Sequence, residues 1–499
     1  MFTQNASILQ TLVPIIPETG LTILLLIVLT VDLFLNPARR RIVGIIAGVG
    51  MLIVMVVNVI ISAAFINHPD LQGPMLGGMV RFDVLSLIFR TAVLIAGGLS
   101  ALIALDVAKV GRQGEFYGIL IVATLGMTLM CAASDLMLIF LAVETASICL
   151  YVLAGFLRDV PRSTEAGLKY FLFGSFTSGL FLYGLSLLYG FTGTTSIYSL
   201  AEPLGNLITS GPIGAFSLIL ALLLLLAGFG FKIAAVPFHF WTPDVYEGAP
   251  TPVTAFVSTA SKAASFALLV RVFSVMWPGS AAMYWTGLLA AIAVVTMTLG
   301  NLLALVQRNM KRMLAYSSIA QAGYTLIGVV ALTRTNIGVA SVAFYMLMYV
   351  LTNIAAFTVV IAVSNAAGSD EIRDFAGLSR RSPYLALAMA IALLSLSGVP
   401  PLAGFFGKFF LFAAAIDAGY VWLAVVGVLN AIVALYYYLT VIKLMYVDEA
   451  PDTRRIPISQ AYWTVLGITC FGILFLGTFA NPAWEWAINA ANSLVAVVP

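Results

Sequence analysis

The chain has 499 residues, of which 62% are hydrophobic and only 9% are charged, with a mean hydropathy of +1.06 and a formal net charge of +3. So few charged residues cannot cover the surface of a soluble protein of this size, so the composition excludes a soluble fold. Apolar runs recur from end to end, and each is long enough to cross the hydrocarbon core of a bilayer. We therefore predict an all-α polytopic membrane protein, forming one membrane domain over residues 1–499. It has about fourteen transmembrane helices, centred near residues 25, 53, 95, 122, 147, 178, 224, 263, 293, 321, 350, 398, 432 and 470.

The lysines and arginines between these spans fall mostly on one side of the membrane. Alternating the sides of successive spans assigns only Arg81, Arg271 and Arg334 to one side. The other side receives Arg39, Arg40, Arg41, Lys109, Arg112, Arg158, Arg162, Arg308, Lys311, Arg312, Arg373, Arg380, Arg381, Lys443, Arg454 and Arg455. By the positive-inside rule, this richer side is cytoplasmic and both termini are external. The first residues, MFTQNASILQ, carry no basic region ahead of the apolar run, which argues against a cleaved signal peptide.

Ionisable residues first appear deep in the membrane in the fifth and seventh spans. Glu144 lies in DLMLIFLAVETASICLYVLAGF, and Lys232 lies in LLAGFGFKIAAVPFHFW, five residues before Pro237. Proline removes a backbone donor and clashes with the preceding turn, so in lipid such a break is tolerated only where it faces a polar interior. His239 follows the break. Its imidazole suits a proton relay, although it could equally cap backbone groups that the break frees.

The eighth, eleventh and twelfth spans continue this pattern. Lys262 is mid-span in the eighth, in a row that helical spacing predicts on one face: Thr254, Ser258, Lys262 and Ser265. The eleventh carries a similar row of Tyr345, Tyr349 and Asn353. Such rows could hold a chain of water molecules or serve plain helix packing. The twelfth span, LSLSGVPPLAGFFGKFF, is broken at Gly398-Val399-Pro400-Pro401 and carries Lys408 after the break.

The two breaks lie five helices apart, so the broken helices cross the membrane in opposite directions. Two five-helix units related by an inverted repeat would place their broken helices in this way. We therefore predict amino-terminal helices 1–3 in residues 1–112, a first repeat in 113–276, an inverted second repeat in 277–447 and helix 14 in 448–499. A pair of ordinary proline kinks is the alternative interpretation.

The four buried ionisable residues are the anomaly that the sequence presents. A charge at the bilayer centre costs roughly 2.5–3.5 kcal/mol unless it is paired or hydrated. Salt bridges between helices explain Glu144 and one lysine, but they leave two of Lys232, Lys262 and Lys408 without an acidic partner. Desolvation disfavours the charged amine, which brings a buried lysine within reach of proton exchange near neutral pH, and a nearby carboxylate opposes that effect. The pattern favours a proton path, with Glu144 acting on Lys232. Arg90 and Lys169 lie near helix ends, where they can reach the interface.

Signatures of redox chemistry and nucleotide binding are missing. GFGFKI at 228–233 lacks the third glycine and the preceding strand of a dinucleotide site, and the sequence has no phosphate loop or cluster of metal ligands. The three cysteines Cys131, Cys149 and Cys470 lie within apolar runs and form no CxxC pair, which is typical of buried filler. Energy for ion movement must therefore come from an ion gradient or from partner subunits.

Three long segments resemble the antiporter-like membrane subunits of respiratory complex I, the proton-translocating NADH-quinone oxidoreductase. They are EAGLKYFLFGSFTSGLFLYGLSLLYGFTGT (165–194), FKIAAVPFHFWTPDVYEGAPTPVTAFVSTASKAASF (231–266) and MKRMLAYSSIAQAGY (310–324). The segment DVYEGAPTPVTAF and a lysine in the twelfth helix are most similar to the bacterial subunit N type. The likeness covers essentially the whole chain.

The resemblance implies a function for the residues already singled out. It places the family's ionisable residues of helices 5, 7, 8 and 12 on Glu144, Lys232, Lys262 and Lys408, in a hydrated row at the membrane midplane. Quinone reduction in other subunits would drive protons along it. It implies no cofactor in this chain, with NADH, FMN, iron-sulfur clusters and quinone held by partner subunits.

The same resemblance implies partners and a location. The partners would be neighbouring antiporter-like and small hydrophobic membrane subunits, the lipid bilayer, protons and internal water, with no nucleic acid. The location would be a bacterial inner membrane, with both termini periplasmic. Two other functions stay open at this point: a subunit of a multisubunit sodium/proton antiporter or membrane-bound hydrogenase, and a non-conducting membrane scaffold.

Overall fold

The computed structural model describes residues 13–36, 39–66, 68, 72–277, 279–450 and 454–495. The segment on which the signal-peptide argument rests lies outside these residues. Within them, thirteen helices are long and apolar enough to cross a membrane. They are span 1 (Val13–Phe34), span 2 (Arg41–Phe65), span 3 (Val84–Ala104), span 4 (Gly114–Ala132), span 5 (Leu136–Ala154), span 6 (Pro161–Thr192), span 7 (Pro212–Ile233), span 8 (Thr251–Val275), span 9 (Gly279–Ala304), span 10 (Met310–Thr333), span 11 (Ile337–Ala367), span 13 (Val421–Tyr446) and span 14 (Gln460–Thr478).

Span 12 consists of two half-helices, Pro383–Ser397 and Ala403–Asp417, which together form one more crossing. The predicted all-α polytopic fold is confirmed. Shorter helices occupy Ala201–Thr209, Trp241–Gly248, Leu378–Arg381 and Ala480–Val495. The predicted boundaries after residues 112, 276 and 447 all fall between helices. The inverted relation of the two five-helix units stays a prediction.

Four spans form the interior of the bundle. Between 94% and 100% of the most apolar stretch of spans 3, 8, 10 and 11 is buried inside the protein, compared with 28% for span 2. Spans 1, 2, 6, 13 and 14 turn large apolar side chains outward, as a lipid-facing surface requires. The buried ionisable residues of spans 8 and 10 are therefore enclosed by protein on every side.

Small residues let the inner helices approach closely. A Cβ atom on Gly323 of span 10 would lie 2.7 Å from the backbone nitrogen of Met297 in span 9. Close backbone approach of this kind replaces the hydrophobic driving force that lipid cannot supply. It places the polar side chains of spans 9 and 10 against one another.

One end of the bundle is closed by a β-hairpin of strands Gly73–Met75 and Val80–Phe82, paired in the register Pro74↔Arg81. Asp83 follows the hairpin and caps span 3, accepting a hydrogen bond from the Ser86 backbone nitrogen at 2.8 Å. Its carboxylate also takes two hydrogen bonds from Arg271, at 2.6 and 2.8 Å. Both side chains of this pair are fully buried.

Candidate functional site

Span 7 ends where the sequence predicts a break. The helix stops at Ile233, and Ala234 turns into the left-handed region with φ 61°, so that its N–H returns to the carbonyls of Gly230 and Phe231. The chain becomes helical again only at Trp241. Lys232 therefore lies in the last turn of the first segment. Its ammonium is buried and donates a hydrogen bond to Ser147 Oγ on span 5.

Glu144 lies one helical turn before Ser147 on span 5. Its carboxylate accepts a hydrogen bond of 2.6 Å from Ser178 on span 6. Among the described ion pairs, none within 4.0 Å joins Glu144 to Lys232. A small cavity, with about 10 Å³ for the centre of a water molecule, lies against Lys232, Ser178 and Ser265. Because about one water fits such a volume, water can connect the carboxylate's hydroxyl partner to the ammonium.

Lys262 begins a new helical segment in the middle of span 8. The five residues Val257–Ser261 before it form a π-helix, a feature common at functional sites in membrane and soluble proteins. The Lys262 ammonium is buried and donates to both the carbonyl and the hydroxyl of Ser318 on span 10. The Tyr246 hydroxyl lies 3.2 Å from the same Ser318 hydroxyl.

The row predicted on one face of span 8 stays a prediction, and its members have different partners. Thr254 bonds the Tyr246 carbonyl at 3.0 Å, Lys262 bonds Ser318, and Ser265 lies at the Lys232 cavity. The row on span 11 holds together, because the rings of Tyr345 and Tyr349 stack at 6.4 Å and Asn353 bonds the Tyr349 carbonyl.

Lys408 lies in the second half-helix of span 12 and reaches back across the break. Its ammonium donates to the carbonyls of Leu396 at 2.9 Å and Ser397 at 3.1 Å, which the first half-helix leaves without helical partners. That half-helix ends at Gly398, in the left-handed region with φ 89°. The cation thus compensates the negative end of a helix dipole. The Tyr324 ring lies 4.6 Å from the ammonium.

Span 10 connects Lys262 to Lys408 through residues that the sequence interpretation missed. Gln321 donates to the Leu396 carbonyl at 3.0 Å, the same carbonyl that Lys408 uses. The Tyr345 hydroxyl bonds the Gln321 amide oxygen, and Ser317 bonds the Tyr438 hydroxyl. The two serines and the glutamine of AYSSIAQAGY, in an otherwise apolar run, were the signal that could have identified this connection.

Among the described hydrogen bonds, none joins the His239 side chain to the lysines. Its side chain is buried in the turn between span 7 and the helix Trp241–Gly248, and its Nδ1 has no hydrogen-bond partner among the described residues. Its backbone carbonyl accepts from the Thr242 nitrogen at 3.0 Å. A role for its imidazole in proton transfer stays a prediction.

Arg90 and Arg271 are also buried, and each is paired with a carboxylate. Arg90 was expected to reach the interface, but it is fully enclosed and bonds Glu18 at 2.9 Å and the Pro14 carbonyl at 3.0 Å. Arg271 was expected in an external connection and is instead buried against Asp83. Burial alone would raise the pKa of the Asp83 carboxyl, but the charge and hydrogen bonds of Arg271 outweigh burial and hold that pKa below its ordinary value.

Lys169 behaves as its position near a helix end predicts. Its ammonium is partly exposed and bonds Asp244 at 2.6 Å and Glu165 at 2.7 Å. Arg312 bonds the same Asp244 at 2.7 Å. These charges form a surface cluster on the side that carries most lysines and arginines.

Comparison with known proteins identifies the class to which this arrangement belongs. Residues 133–434 match the family described as NADH:quinone oxidoreductase/Mrp antiporter, TM. Among solved structures, a chain of the Mrp complex from Dietzia sp. DQ12-45-1b superposes with a TM-score of 0.83 over 99% of this chain and 100% of that chain. At 21% identity, this second likeness shows the fold alone.

Closer relatives define the branch of the family. Subunit N of NADH-quinone oxidoreductase from Moorella thermoacetica is 45% identical over 435 residues, covering 87% of this chain and 89% of that protein. A chain of respiratory complex I from Thermus thermophilus is 32% identical, with a TM-score of 0.78 over 94% of this chain and 98% of that chain. The chain therefore belongs to the NADH-quinone oxidoreductase subunit N family of complex I membrane subunits. This confirms the resemblance that its sequence motifs indicate.

Proposed function

We propose that this membrane subunit of the proton-translocating NADH-quinone oxidoreductase conducts protons along Glu144, Lys232, Lys262 and Lys408, driven by quinone reduction elsewhere in the complex. One observation carries the proposal. Each of the three lysine ammonium groups is buried and bonded to hydroxyl or carbonyl oxygens, with no carboxylate within 4.0 Å among the described residues. A cation held in this way has no permanent counter-ion that would fix its proton.

The chemistry of each lysine follows from its surroundings. Burial disfavours the charged amine, and hydrogen bonds to oxygen acceptors favour it, so the two effects oppose one another. An amine balanced between them can take up and release a proton when a nearby charge or water changes. Salt bridges, by contrast, would hold each lysine permanently charged.

Glu144 supplies the variable charge near Lys232 in this proposal. Ser147 contacts Lys232 and lies one turn from Glu144, and Ser178 holds the carboxylate beside the same cavity. A proton or water that enters this cavity changes the field at the ammonium. Glu144 therefore sets whether Lys232 keeps its proton, without forming an ion pair with it.

Protons move from Lys232 to Lys408 along the interior spans. Ser265 of span 8 faces the Lys232 cavity, and Lys262 on the same span bonds Ser318 of span 10. From there, Gln321 shares the Leu396 carbonyl with Lys408. Hydroxyl groups both donate and accept hydrogen bonds, so they suit a path shared with internal water. His239 belongs to the path only as an untested prediction.

Location and partners follow from the family and from the charge distribution. The chain is a multi-span protein of the bacterial inner membrane and assembles with other complex I subunits. We propose that both termini are periplasmic, because lysine and arginine lie mainly on the opposite side. We also propose neighbouring antiporter-like and small hydrophobic subunits as its direct contacts. NADH, FMN, iron-sulfur clusters and quinone are assigned to partner subunits.

Neither alternative function is favoured. The curated relatives carry the name of subunit N, and the likeness to the Mrp complex concerns the fold. A scaffold that conducts nothing has no use for three buried lysines without counter-ions, since apolar residues would pack more favourably at those positions.

The direct experiment compares two lysine-to-alanine variants in membrane vesicles that contain the assembled complex. Proton pumping is measured against NADH oxidation. Lys232→Ala should reduce the protons pumped per NADH, while the complex still assembles. The control is Lys109→Ala, because Lys109 is an exposed lysine in the connection between spans 3 and 4. Normal pumping by Lys232→Ala would show that the lysine is structural.

A further inference from the structure

A second set of buried polar side chains extends from Lys408, and none of them belongs to the midplane row. It starts at Tyr324, whose ring lies against the Lys408 ammonium. The Tyr324 hydroxyl accepts a hydrogen bond of 3.0 Å from the Asn301 amide of span 9. The Asn301 amide oxygen accepts one of 3.2 Å from the Tyr437 hydroxyl of span 13. All of these side chains are buried.

The set ends at an open cleft. Tyr437 lines a cleft of about 640 Å³ between the ends of spans 9 and 13 and the turn Ile372–Phe375. Charged side chains of both signs line the same cleft: Arg308, Glu371, Arg373, Lys443 and Asp448. These residues lie on the side of the protein that carries most lysines and arginines. An opening with such a lining is wet.

Asn301 forms hydrogen bonds with residues of both span 10 and span 13. Besides Tyr324 and Tyr437, its amide nitrogen donates to the carbonyl and the side-chain oxygen of Asn430, at 3.2 and 3.3 Å. Spans 9 and 10 already pack closely through Gly323. Polar side chains inside a membrane are costly unless satisfied, and they mark polar pathways more often than plain contacts. The site therefore orients two tyrosine hydroxyls between a buried cation and water.

We infer that Tyr324, Asn301 and Tyr437 form an access route through which Lys408 exchanges protons with the cleft. The inference rests on the proposed function, because it requires Lys408 to give up and regain a proton. The Asn301 amide lies between the two hydroxyls and relays no proton, so water that enters from the cleft carries the proton past it. Each tyrosine hydroxyl accepts a proton from one water molecule and gives its own proton to the next, and the last water molecule gives a proton to the Lys408 amine. Asn301 is a positioning residue that orients the two hydroxyls.

The route gives Lys408 two connections. One runs through the Leu396 carbonyl and Gln321 toward Ser318 and Lys262. The other runs through Tyr324 to the cleft. A residue that loads from one connection and discharges into the other is a branch point. Near Lys232, by contrast, aromatic rings pack together: Tyr170 stacks on Trp241 at 4.3 Å, and the Phe231 ring beside them lies 5.6 Å from the ammonium.

The test uses inside-out membrane vesicles with the assembled complex and measures protons pumped per NADH oxidised. Tyr437→Phe keeps the ring and removes one hydroxyl, so the ratio should fall roughly twofold to tenfold, the factor that one lost hydrogen bond gives. Asn301→Leu should reduce it further. The matched control is Tyr436→Phe, the same change at the neighbouring residue. Tyr436 is exposed beside the cleft, and no described hydrogen bond uses its hydroxyl, so the ratio should be unchanged.

Lys408→Ala separates the inference from the proposed function. If Lys408→Ala is impaired while Tyr437→Phe and Asn301→Leu pump like the unaltered complex, the access route is wrong and the proposed function stands. If Lys408→Ala also pumps normally, the proposed function fails. Should Asn301→Leu prevent assembly, the conservative Tyr437→Phe still decides. If the protons pumped per NADH fall equally in Tyr436→Phe and Tyr437→Phe, the route is also overturned.

The side of access is tested with Tyr437→Cys and a maleimide that does not cross membranes. The cysteine should react in inside-out vesicles, whose outer face is the cytoplasmic face, and should be protected in right-side-out vesicles. Reaction from the opposite side alone would contradict the route.

Discussion

Five of the buried cations among the described residues fall into two groups that lie in different regions of the bundle. Around spans 1, 3 and 8, each cation contacts a carboxylate. Arg90 contacts Glu18 at 2.9 Å, and Arg271 contacts Asp83 at 2.6 Å. Along the interior, Lys232, Lys262 and Lys408 contact only hydroxyl and carbonyl oxygens. The first group shows how this chain neutralises a buried charge when the charge is structural. Under the proposed function, the lysines differ because their charge has to change.

The choice of side chain agrees with this division. Arginine stays protonated in proteins and binds carboxylates through two parallel hydrogen bonds, as Arg271 does with Asp83. Lysine carries a compact charge that desolvation can remove. In these two groups, the cations paired with carboxylates are arginines and the cations of the proposed path are lysines. Substitutions that convert one arrangement into the other can break or sharpen the comparison.

The largest effect is expected at the paired region. Asp83→Asn leaves Arg271 buried without a counter-ion, and breaking such a pair costs about 3–5 kcal/mol in the free energy of unfolding. The thermal midpoint of the purified complex should fall. In complexes that remain intact, the number of protons pumped per NADH should be unchanged. The control, Asp106→Asn, removes a more exposed partner of Arg41 and should cost about 1 kcal/mol or less. If both variants lower the thermal midpoint equally, the buried pair contributes no more to stability than the exposed one.

The same pair predicts a dependence on pH. Because the folded protein holds the pKa of Asp83 below the ordinary value of 3.8, the pair stabilises the fold above that value. This stabilisation is lost as the pH falls through the lower folded pKa. Asp83→Asn does not titrate, so the difference in thermal midpoint between it and the unaltered protein should narrow in acid. A constant difference would contradict the assignment.

The next effect is expected when the lysine region is made to resemble the arginine region. Ser147→Asp places a carboxylate at the hydroxyl position that Lys232 contacts. A carboxylate in contact favours the charged amine by roughly tenfold to thousandfold, so proton pumping should fall by about tenfold or more. Ser147→Asn has nearly the same shape without the charge and should retain more of the activity. If Ser147→Asp pumps as well as Ser147→Asn, a permanent counter-ion does not matter at Lys232.

The smallest effects concern the two breaks. Both first segments end in a left-handed residue, Ala234 in span 7 and Gly398 in span 12. Gly398→Ala should destabilise by about 1–2 kcal/mol, because a Cβ is unfavourable at φ 89° and would lie 3.1 Å from Lys408 Cδ. Ala234→Gly should stabilise by up to about 1 kcal/mol, since it removes that strain. Thermal midpoints of the complex would check both: a midpoint that rises in Gly398→Ala or falls in Ala234→Gly would contradict this account of the breaks.

Hydropathy and charge were sufficient to predict the membrane fold, the spans and the four residues of the candidate path. Each of these depends on a run of about twenty apolar residues or on a charge inside one, which is visible without tertiary structure. The breaks were predictable for the same reason, because proline acts locally on the helix that contains it.

The partners of those residues were not predictable. Arg90 meets Glu18 and Arg271 meets Asp83 across long stretches of sequence, so only the packing of the spans reveals that they are paired. Ser318 and Gln321 look like ordinary small and polar residues until span 10 is placed between Lys262 and Lys408.

A density map of the assembled complex that resolves internal water would test the central claim most directly. The claim is that Lys232, Lys262 and Lys408 belong to a hydrated proton path. The account predicts water within hydrogen-bond distance of all three ammonium groups, with further water along Ser265, Ser318 and Gln321. A dry interior, with every lysine in contact with a carboxylate from this chain or a neighbour, would contradict it.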